Sequence, residues 1–502
     1  MSEKSRREFI RQASLATSAL AAGACRSGPE PSGEEPAVAP ANSSRPNFLF
    51  IFPDQQRPDW TPANPAVPVP MPNFERLAAR GVRFEQAFCA APVCAPSRAC
   101  LATGREYDHC GVPSNRDNYP LEQPTYYGRL RDAGYHSLGC GKIDLATGEL
   151  VAGRGLGIDG QKFSREWGFD TVLHNAGKQA GSFIYLSDPV GPKDHYYDYL
   201  DRLAPPLGRV CAEDMRKRSR PKESQWGDTR PSPLPEEHYL DNWIARNGLA
   251  LLDEVTPGEP WSLVVNFAGP HSPVDIPTRL EASYRGPQRV IDDFPQPHGY
   301  IGSYDQAKHQ HIRQNYAAII ENIDHWLGVY LDRLEERGEL DNTIVVYASD
   351  HGDMLGDRGK WGKTVPFHAS AGVPLAIAGP GIRAGHVNPS LVSLIDLTAT
   401  FLDYGGVTPP SEMDGLSLRP LLERETDSHR EYVLSGLDDW RSVFDGRFKY
   451  IANYDGHDRL LFDLDEDPWE DVDLAAKDPE RCQRLEQMLR AGSFRPVALS
   501  RA

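Results

Sequence analysis

The sequence predicts an α/β protein. A large, mostly parallel sheet is sandwiched by helices, and a smaller C-terminal α+β unit is built on an antiparallel sheet. Three observations predict this. Continuous apolar runs, which suit strands buried on both faces, alternate with helix-period segments up to about residue 405. After about residue 406 the runs shorten and turn residues separate them, with Asp445-Gly446 a hairpin signal. Polar clusters also stand just beyond several of the long runs, where open α/β sheets bind ligands.

Each element follows from local pattern. Asn47–Phe52 (NFLFIF) is a buried strand, and Pro72–Arg80 a helix closed by Gly81. Thr125–Ala133 reads as a helix and Tyr135–Gly139 as a strand. Residues 150–236 are rich in Gly, Pro and charge with little periodicity, and read as long loops, as does 272–305. Glu237–Glu254 is a helix, Trp261–Phe267 a strand, His311–Arg337 a long helix, Asn342–Ala348 and Leu375–Ala378 strands, and Leu391–Leu402 a helix. The C-terminal unit should hold strands at Tyr432–Ser435, Ser442–Phe444, Phe448–Asn453 and Leu460–Asp463, then a helix at Glu480–Ala491. There are no internal repeats.

The 502 residues carry 54 Lys+Arg against 71 Asp+Glu, a net charge of −17, with 39% hydrophobic residues. This balance is globular, and it argues against a general nucleic-acid binder. No apolar run is long enough to cross a bilayer. Residues 1–25 read as an export signal, with Arg6-Arg7 resembling a twin-arginine motif. Ala22-Gly23-Ala24-Cys25 resembles a lipoprotein box, which implies a lipid anchor at Cys25; the alternative is a plain cleaved signal with a coincidental cysteine. Residues 26–46 read as a flexible linker, 47–405 as the main domain and 406–502 as the C-terminal subdomain. The expected location is the periplasm or the cell envelope. Twin-arginine cargo folds before transport, so a side chain can mature in the cytoplasm first. Eight cysteines are present and none forms a CxxC pair, so no zinc ribbon is indicated.

Asp54-Gln55, His271 and Asp350-His351-Gly352-Asp353 each follow a predicted strand and should converge on one rim of the sheet. Singly, an Asp there is usually a cap or turn residue and a His a structural one; together they make a site. Hard oxygens from Asp54, Gln55 and Asp350 suit Ca²⁺ or Mg²⁺, and the imidazole of His351 leaves Mn²⁺ or Zn²⁺ open. Cys94-Ala95-Pro96-Ser97-Arg98 places Cys94 at a helix N-terminus, an end that attracts anions, with Arg98 one turn on. A bare cysteine there would more often be simply buried.

CAPSR resembles the CxPxR sequence that type I sulfatases convert to Cα-formylglycine, within the alkaline phosphatase-like superfamily. Thr103-Gly104-Arg105, Pro72–Ala78, Gly141-Lys142, Pro270-His271, Ser349–Gly352, Trp361-Gly362-Lys363, Lys449–Ile451 and Phe462–Pro468 resemble further family segments, in order, from about residue 47 to 475. The resemblance implies that Cys94 is the formylglycine precursor, matured by a formylglycine-generating enzyme. It implies a divalent metal, calcium foremost with magnesium or manganese as alternatives, held by Asp54, Gln55, Asp350, His351 and the modified Cys94. Arg98 would hold the formylglycine hydroxyl, while Lys142, His271 and Lys363 would bind sulfate and assist the leaving alcohol. One hydroxyl of the hydrated aldehyde would attack sulfur and expel the alcohol; the second hydroxyl would then lose its proton, the C–O bond to sulfate would break and the aldehyde would return. Asp144 stands where many members have a histidine. An anion there opposes sulfate unless it pairs with Lys142, turns away or faces the metal.

The implied function is hydrolysis of sulfate esters, those of a sulfated glycan foremost. Alternatives are a phosphonate monoester or phosphodiester hydrolase of the same fold, or a catalytically silent, lipid-tethered glycan-binding protein.

Overall fold

In the computed structural model the described residues are 45–145, 165–188, 194–219, 225–286, 294–300, 302, 304–454 and 458–493. The export signal, Cys25 and nearly all of the linker lie outside them. In chain order the principal elements are β1 (Asn47–Asp54), α1 (Pro72–Arg80), β2 (Gly81–Phe88), α2 (Cys94–Thr103), α3 (Tyr126–Asp132), β3 (His136–Gly141), β4 (Thr171–His174), α4 (Gly177–Ser187), α5 (His195–Asp201) and α6 (Gly208–Arg218). They continue with α7 (Leu240–Asp253), β5 (Trp261–Pro270), α8 (Thr278–Arg285), α9 (Gln306–Glu336), β6 (Thr343–Ala348), α10 (His368–Ala371), β7 (Leu375–Ala378), β8 (His386–Ser393) and α11 (Asp396–Tyr404). The C-terminal part holds α12 (Arg419–Leu422), β9 (Val433–Leu437), β10 (Trp440–Phe444), β11 (Phe448–Asn453), β12 (Arg459–Asp463) and α13 (Pro479–Ser493).

The main sheet has eight strands in the order β4-β3-β5-β1-β6-β7-β2-β8. All neighbours are parallel except β7, which runs antiparallel to both β6 and β2. The strand pleat explains its two cores. Leu49 and Ile51 of β1 face a cluster shared with α9, whose Ile312, Tyr316, Ile319, Ile320 and Ile323 are buried. Phe48, Phe50 and Phe52 face the opposite cluster, with Leu101 of α2 and Phe401 of α11. The second sheet, β12-β11-β10-β9, is wholly antiparallel. It packs Leu434, Val443, Tyr450 and Leu461 against Cys482, Leu485 and Leu489 of α13.

The sequence reading needs correction in three places. The described parts of 150–236 are not loops: they contain β4, α4, α5, α6 and the start of the short helical turn before α7. Likewise α8 lies inside 272–305. The predicted helix at Leu391–Leu402 is two elements. Leu391, Val392 and Ser393 pair with Gln86, Ala87 and Phe88 in the sheet, and α11 starts only at Asp396, whose carboxylate accepts the Ser393 N–H at 2.9 Å. β2 and most of β8 were not expected; both mix polar and apolar residues.

Candidate active site

Because β1, β3, β5 and β6 all run the same way, the residues after them gather at one edge of the sheet. Asp54 ends β1, Lys142 follows β3, His271 follows β5, and Asp350 and His351 lie just past β6. Gly141 makes the exit to Lys142 possible. Its φ is 100°, and a Cβ there would lie 1.9 Å from the Asn266 carbonyl oxygen. Cys94 is the first residue of α2, after the extended cap residue Val93, so it lies at the positive end of the helix as expected. Gly104, at φ 71°, stops the helix.

Cys94, Asp54, Asp350 and His351 are fully buried, and their ligand atoms all lie within 4.8 Å of one another. The Cys94 Sγ is 3.4 Å from His351 Nε2 and 3.0 Å from Lys363 Nζ. His351 Nδ1 donates to the Gly352 carbonyl at 2.9 Å, which leaves Nε2 turned toward the cluster, as a metal-ligating histidine requires. Two carboxylates, an imidazole and a sulfur or oxygen ligand therefore fit a divalent ion. Gln55 offers its Oε1, which accepts from Lys363 Nζ at 2.5 Å, and its amide is fixed because Nε2 donates to Asp353 Oδ2. The Gln55 backbone is left-handed (φ 70°), a strained conformation for a side-chain-bearing residue.

Arg98 fastens this cluster from below. It reaches Asp350 Oδ2 at 3.0 Å, Asp54 Oδ2 at 3.2 Å, Asn266 Oδ1 at 2.8 Å and the Lys142 carbonyl at 2.6 Å. Lys142 Nζ bonds Asp54 Oδ2 and also pairs with Asp144 at 3.1 Å. Of the three options open for Asp144, pairing with Lys142 is the one realised. Burial raises the Asp54 carboxyl, but Lys142, His271, Lys363 and Arg98 outweigh it and hold it well below the usual range. Burial and Asp54 also raise the Cys94 thiol, yet Lys142, Lys363 and His351 prevail and hold it well below an ordinary thiol. Burial pushes Asp144 up despite Lys142, and Asp353 up to about 6. Burial and Lys363 hold His271 down, against Asp54, so its ring favours the neutral form. A cavity of about 200 Å³ opens over the cluster, lined by Cys94, Lys142, Asp144, His271, Asn115 and Lys178.

A family model described as Sulfatase matches residues 46–407, and one described as N-sulphoglucosamine sulphohydrolase, C-terminal, matches 356–491. The chain belongs to the sulfatase family. It is a sulfatase enzyme on an alkaline phosphatase-like fold. The sulfatase is 28% identical to an arylsulfatase of Clostridium perfringens, over 89% of this chain and 94% of that protein. It is 27% identical to an N-acetylglucosamine-6-O-sulfatase of Bacteroides thetaiotaomicron, over 76% and 72%. The phosphonate monoester hydrolase of Agrobacterium radiobacter shares the fold at a TM-score of 0.73 and 23% identity, over 89% and 95% of the two chains.

All nine residues singled out from the sulfatase sequence meet at this one edge. Others were missed. Asn266 holds Arg98 and was legible as the one polar residue near the end of the apolar run Trp261–Phe267. Asn115, which accepts the Ala95 N–H at 2.9 Å, and Lys178, paired with Asp275 at 2.8 Å, carry no local signal.

Proposed function

We propose that this sulfatase removes sulfate from a sulfated glycan, after conversion of Cys94 to formylglycine and with a divalent ion, calcium foremost, at Asp54, Gln55, Asp350 and His351. The observation that carries the reading is the buried convergence of the Asp54, Asp350 and His351 ligand atoms on Cys94, flanked by Lys142, Lys363 and Arg98. In the unmodified chain the Cys94 sulfur stands where an oxygen of the modified residue would be. When present, the ion offsets the charge of the sulfate and the modified residue supplies the oxygen nucleophile.

The chain's own residues do the rest. Arg98 keeps Asp54 and Asp350 in place and cannot give up its proton. Asp353 fixes the Gln55 amide so that its oxygen, not its nitrogen, faces Lys363 and the cluster. Lys142 and Lys363 bind sulfate oxygens from two sides. His271 donates Nδ1–H to the Ser272 carbonyl at 2.5 Å, so its Nε2 carries a lone pair in the neutral ring. It then accepts a proton more readily than it gives one, and Lys363 is the better donor to the departing alcohol. The glycan part of the reading draws on the glycan-sulfatase relative and on the export motif at Arg6-Arg7, from which we also propose a periplasmic or envelope location.

The test is a peptide mass spectrum over Cys94 after co-expression with a formylglycine-generating enzyme, followed by rates on paired 4-nitrophenyl sulfate and phenylphosphonate esters. Replacement of the thiol by an aldehyde and a preference for the sulfate ester are expected. An intact thiol, with a control sulfatase converted in the same cells, would overturn the formylglycine step. A preference for the phosphonate would favour the hydrolase alternative.

A further inference from the structure

The cavity over Cys94 is small beside the roughly 300–1,000 Å³ of ordinary ligand sites, so any group larger than one ring must leave it by an opening. A second hollow adjoins it along α4. Gln179 and Phe183, four residues apart and hence on one helix face, line both this cavity and a groove of about 910 Å³ beside it. Trp361, two residues before Lys363, also lines the groove. Trp361 is held rigidly, stacked on His309 at 5.7 Å with the rings 4° from parallel, and packed against the buried Trp226 at 5.4 Å. Among the described residues the groove's polar lining is uncharged apart from Arg216 on α6, with Gln225 fixed by a hydrogen bond from the Gln179 amide.

Among the described residues, two of these lack the partners their chemistry calls for. Phe183 is 61% exposed at the junction of cavity and groove, an aromatic face with nothing stacked on it among the described residues. Arg216 has no acidic partner among the described residues, whereas Arg209 and Arg218 on the same helix pair with Glu213 and Asp214. An exposed aromatic ring next to amide and hydroxyl groups suits a pyranose, which offers an apolar C–H face and hydroxyls at its edge. One unpaired guanidinium suits a single anionic substituent on that ring.

We propose that this groove is a second sugar subsite: the sulfated residue enters the cavity over Cys94, and the neighbouring pyranose, bearing a carboxylate or a second sulfate, stacks on Phe183 and meets Arg216. The substrate is then an acidic glycan of at least two sugars. This rests on the sulfate-ester reading above, and the test separates the two. Binding is measured on the Cys94→Ala protein by calorimetry with a size-defined heparin tetrasaccharide and a chondroitin sulfate tetrasaccharide, with N-acetylglucosamine 6-sulfate as the short ligand. One tetrasaccharide should bind at least tenfold more tightly than the monosaccharide. Phe183→Ala and Arg216→Ala, each added to that protein, should remove at least a fivefold share of the advantage. In the matured enzyme the same substitutions should lower the ratio of kcat/KM for that tetrasaccharide over 4-nitrophenyl sulfate at least fivefold. Equal binding of long and short ligands, or an advantage that neither substitution reduces, overturns the subsite. Tetrasaccharide binding that depends on Arg216, with no turnover of any sulfate ester by the matured enzyme, overturns the catalytic reading and leaves the groove standing.

Discussion

Replacing Arg98 by methionine should nearly unfold the metal-free protein. Arg98 is 2% exposed and bonds two fully buried carboxylates. Asp54 would keep Lys142, but Asp350 would keep only the backbone N–H groups of Gln55 and His351, each at 2.9 Å, and the His351 ring at 3.5 Å. Removing one partner of a buried ion pair costs about 3–5 kcal/mol, because the other charge is stranded. The Asn266 amide oxygen and the Lys142 carbonyl also lose a donor each, at about 1 kcal/mol apiece. The sum, about 5–7 kcal/mol, is comparable with the whole stability of many proteins. The assay is guanidinium denaturation in chelator and in excess calcium. The variant should lose most of its stability in chelator and recover a larger share with calcium than the parent does, since the ion would neutralise the same carboxylates. Arg98→Lys, which keeps the charge but not the fork, should fall between. A loss below about 2 kcal/mol in chelator would refute the claim that Arg98 neutralises this cluster.

Burial pushes Glu106 up to about 8, with Arg430 opposing and Asp414, Asp396 and Asp108 adding to it, and its Oε2 has no hydrogen-bond partner among the described residues. Its folded pKa exceeds the ordinary 4.5. Stability is thus fully present below about pH 4.5 and lost as pH rises through 8, by about 5 kcal/mol at most. Glu106→Gln should flatten that fall in denaturation midpoints between pH 5 and 8.5, and parallel profiles would contradict it. Asp144→Asn releases Lys142 from one of its two carboxylates, and should tighten inhibition by inorganic sulfate about three- to tenfold; unchanged inhibition would place sulfate away from Lys142. Stripping with chelator should abolish turnover, and calcium at a hundred times its Kd should add about 2.7 kcal/mol of stability; full activity after stripping would exclude an ion from the cluster.

What the sequence makes legible is what depends on contiguous signal. The uninterrupted apolar runs of β1, β5 and β6 fix the middle of the sheet, and the polar residues directly after them fix one side of the site. Cys94 is readable because Pro96 marks a helix start. The region 171–218 is not readable in this way. α4 buries Gly177, Lys178, Gly181 and Ser182 along with Ile184 and Tyr185, so its inward face is small and polar and carries no apolar period. β2 sits between β7 and β8 with Glu85 and Gln86 outside the core, which hides its strand pattern. Asp353 and Asn266 are visible as polar residues near strand ends, but the links they make are not. Asp353 acts through Gln55, and Asn266 through Arg98, across 298 and 168 residues of chain. Such contacts exist only once the sheet has formed.

An enzyme with a net charge of −17 that binds a sulfate ester must overcome its own field at short range. At physiological salt, charges farther than about 8 Å are largely screened, so the local balance decides. Around Cys94 that balance is close to even. Arg98, Lys142 and Lys363 face Asp54, Asp144 and Asp350, and the first two cations are already committed to carboxylates. Cations held this way position acids more than they attract an anion. A divalent ion between Asp54 and Asp350 would take over those two carboxylates and return Lys142 to the cavity, where Asp144 alone would hold it. Asp144, 3.1 Å from the Lys142 ammonium, would then be the one carboxylate competing with sulfate for it, which is why Asp144→Asn should tighten sulfate inhibition. The proposed metal and the lysines therefore belong to one electrostatic device, in which substrate attraction depends on the ion being present.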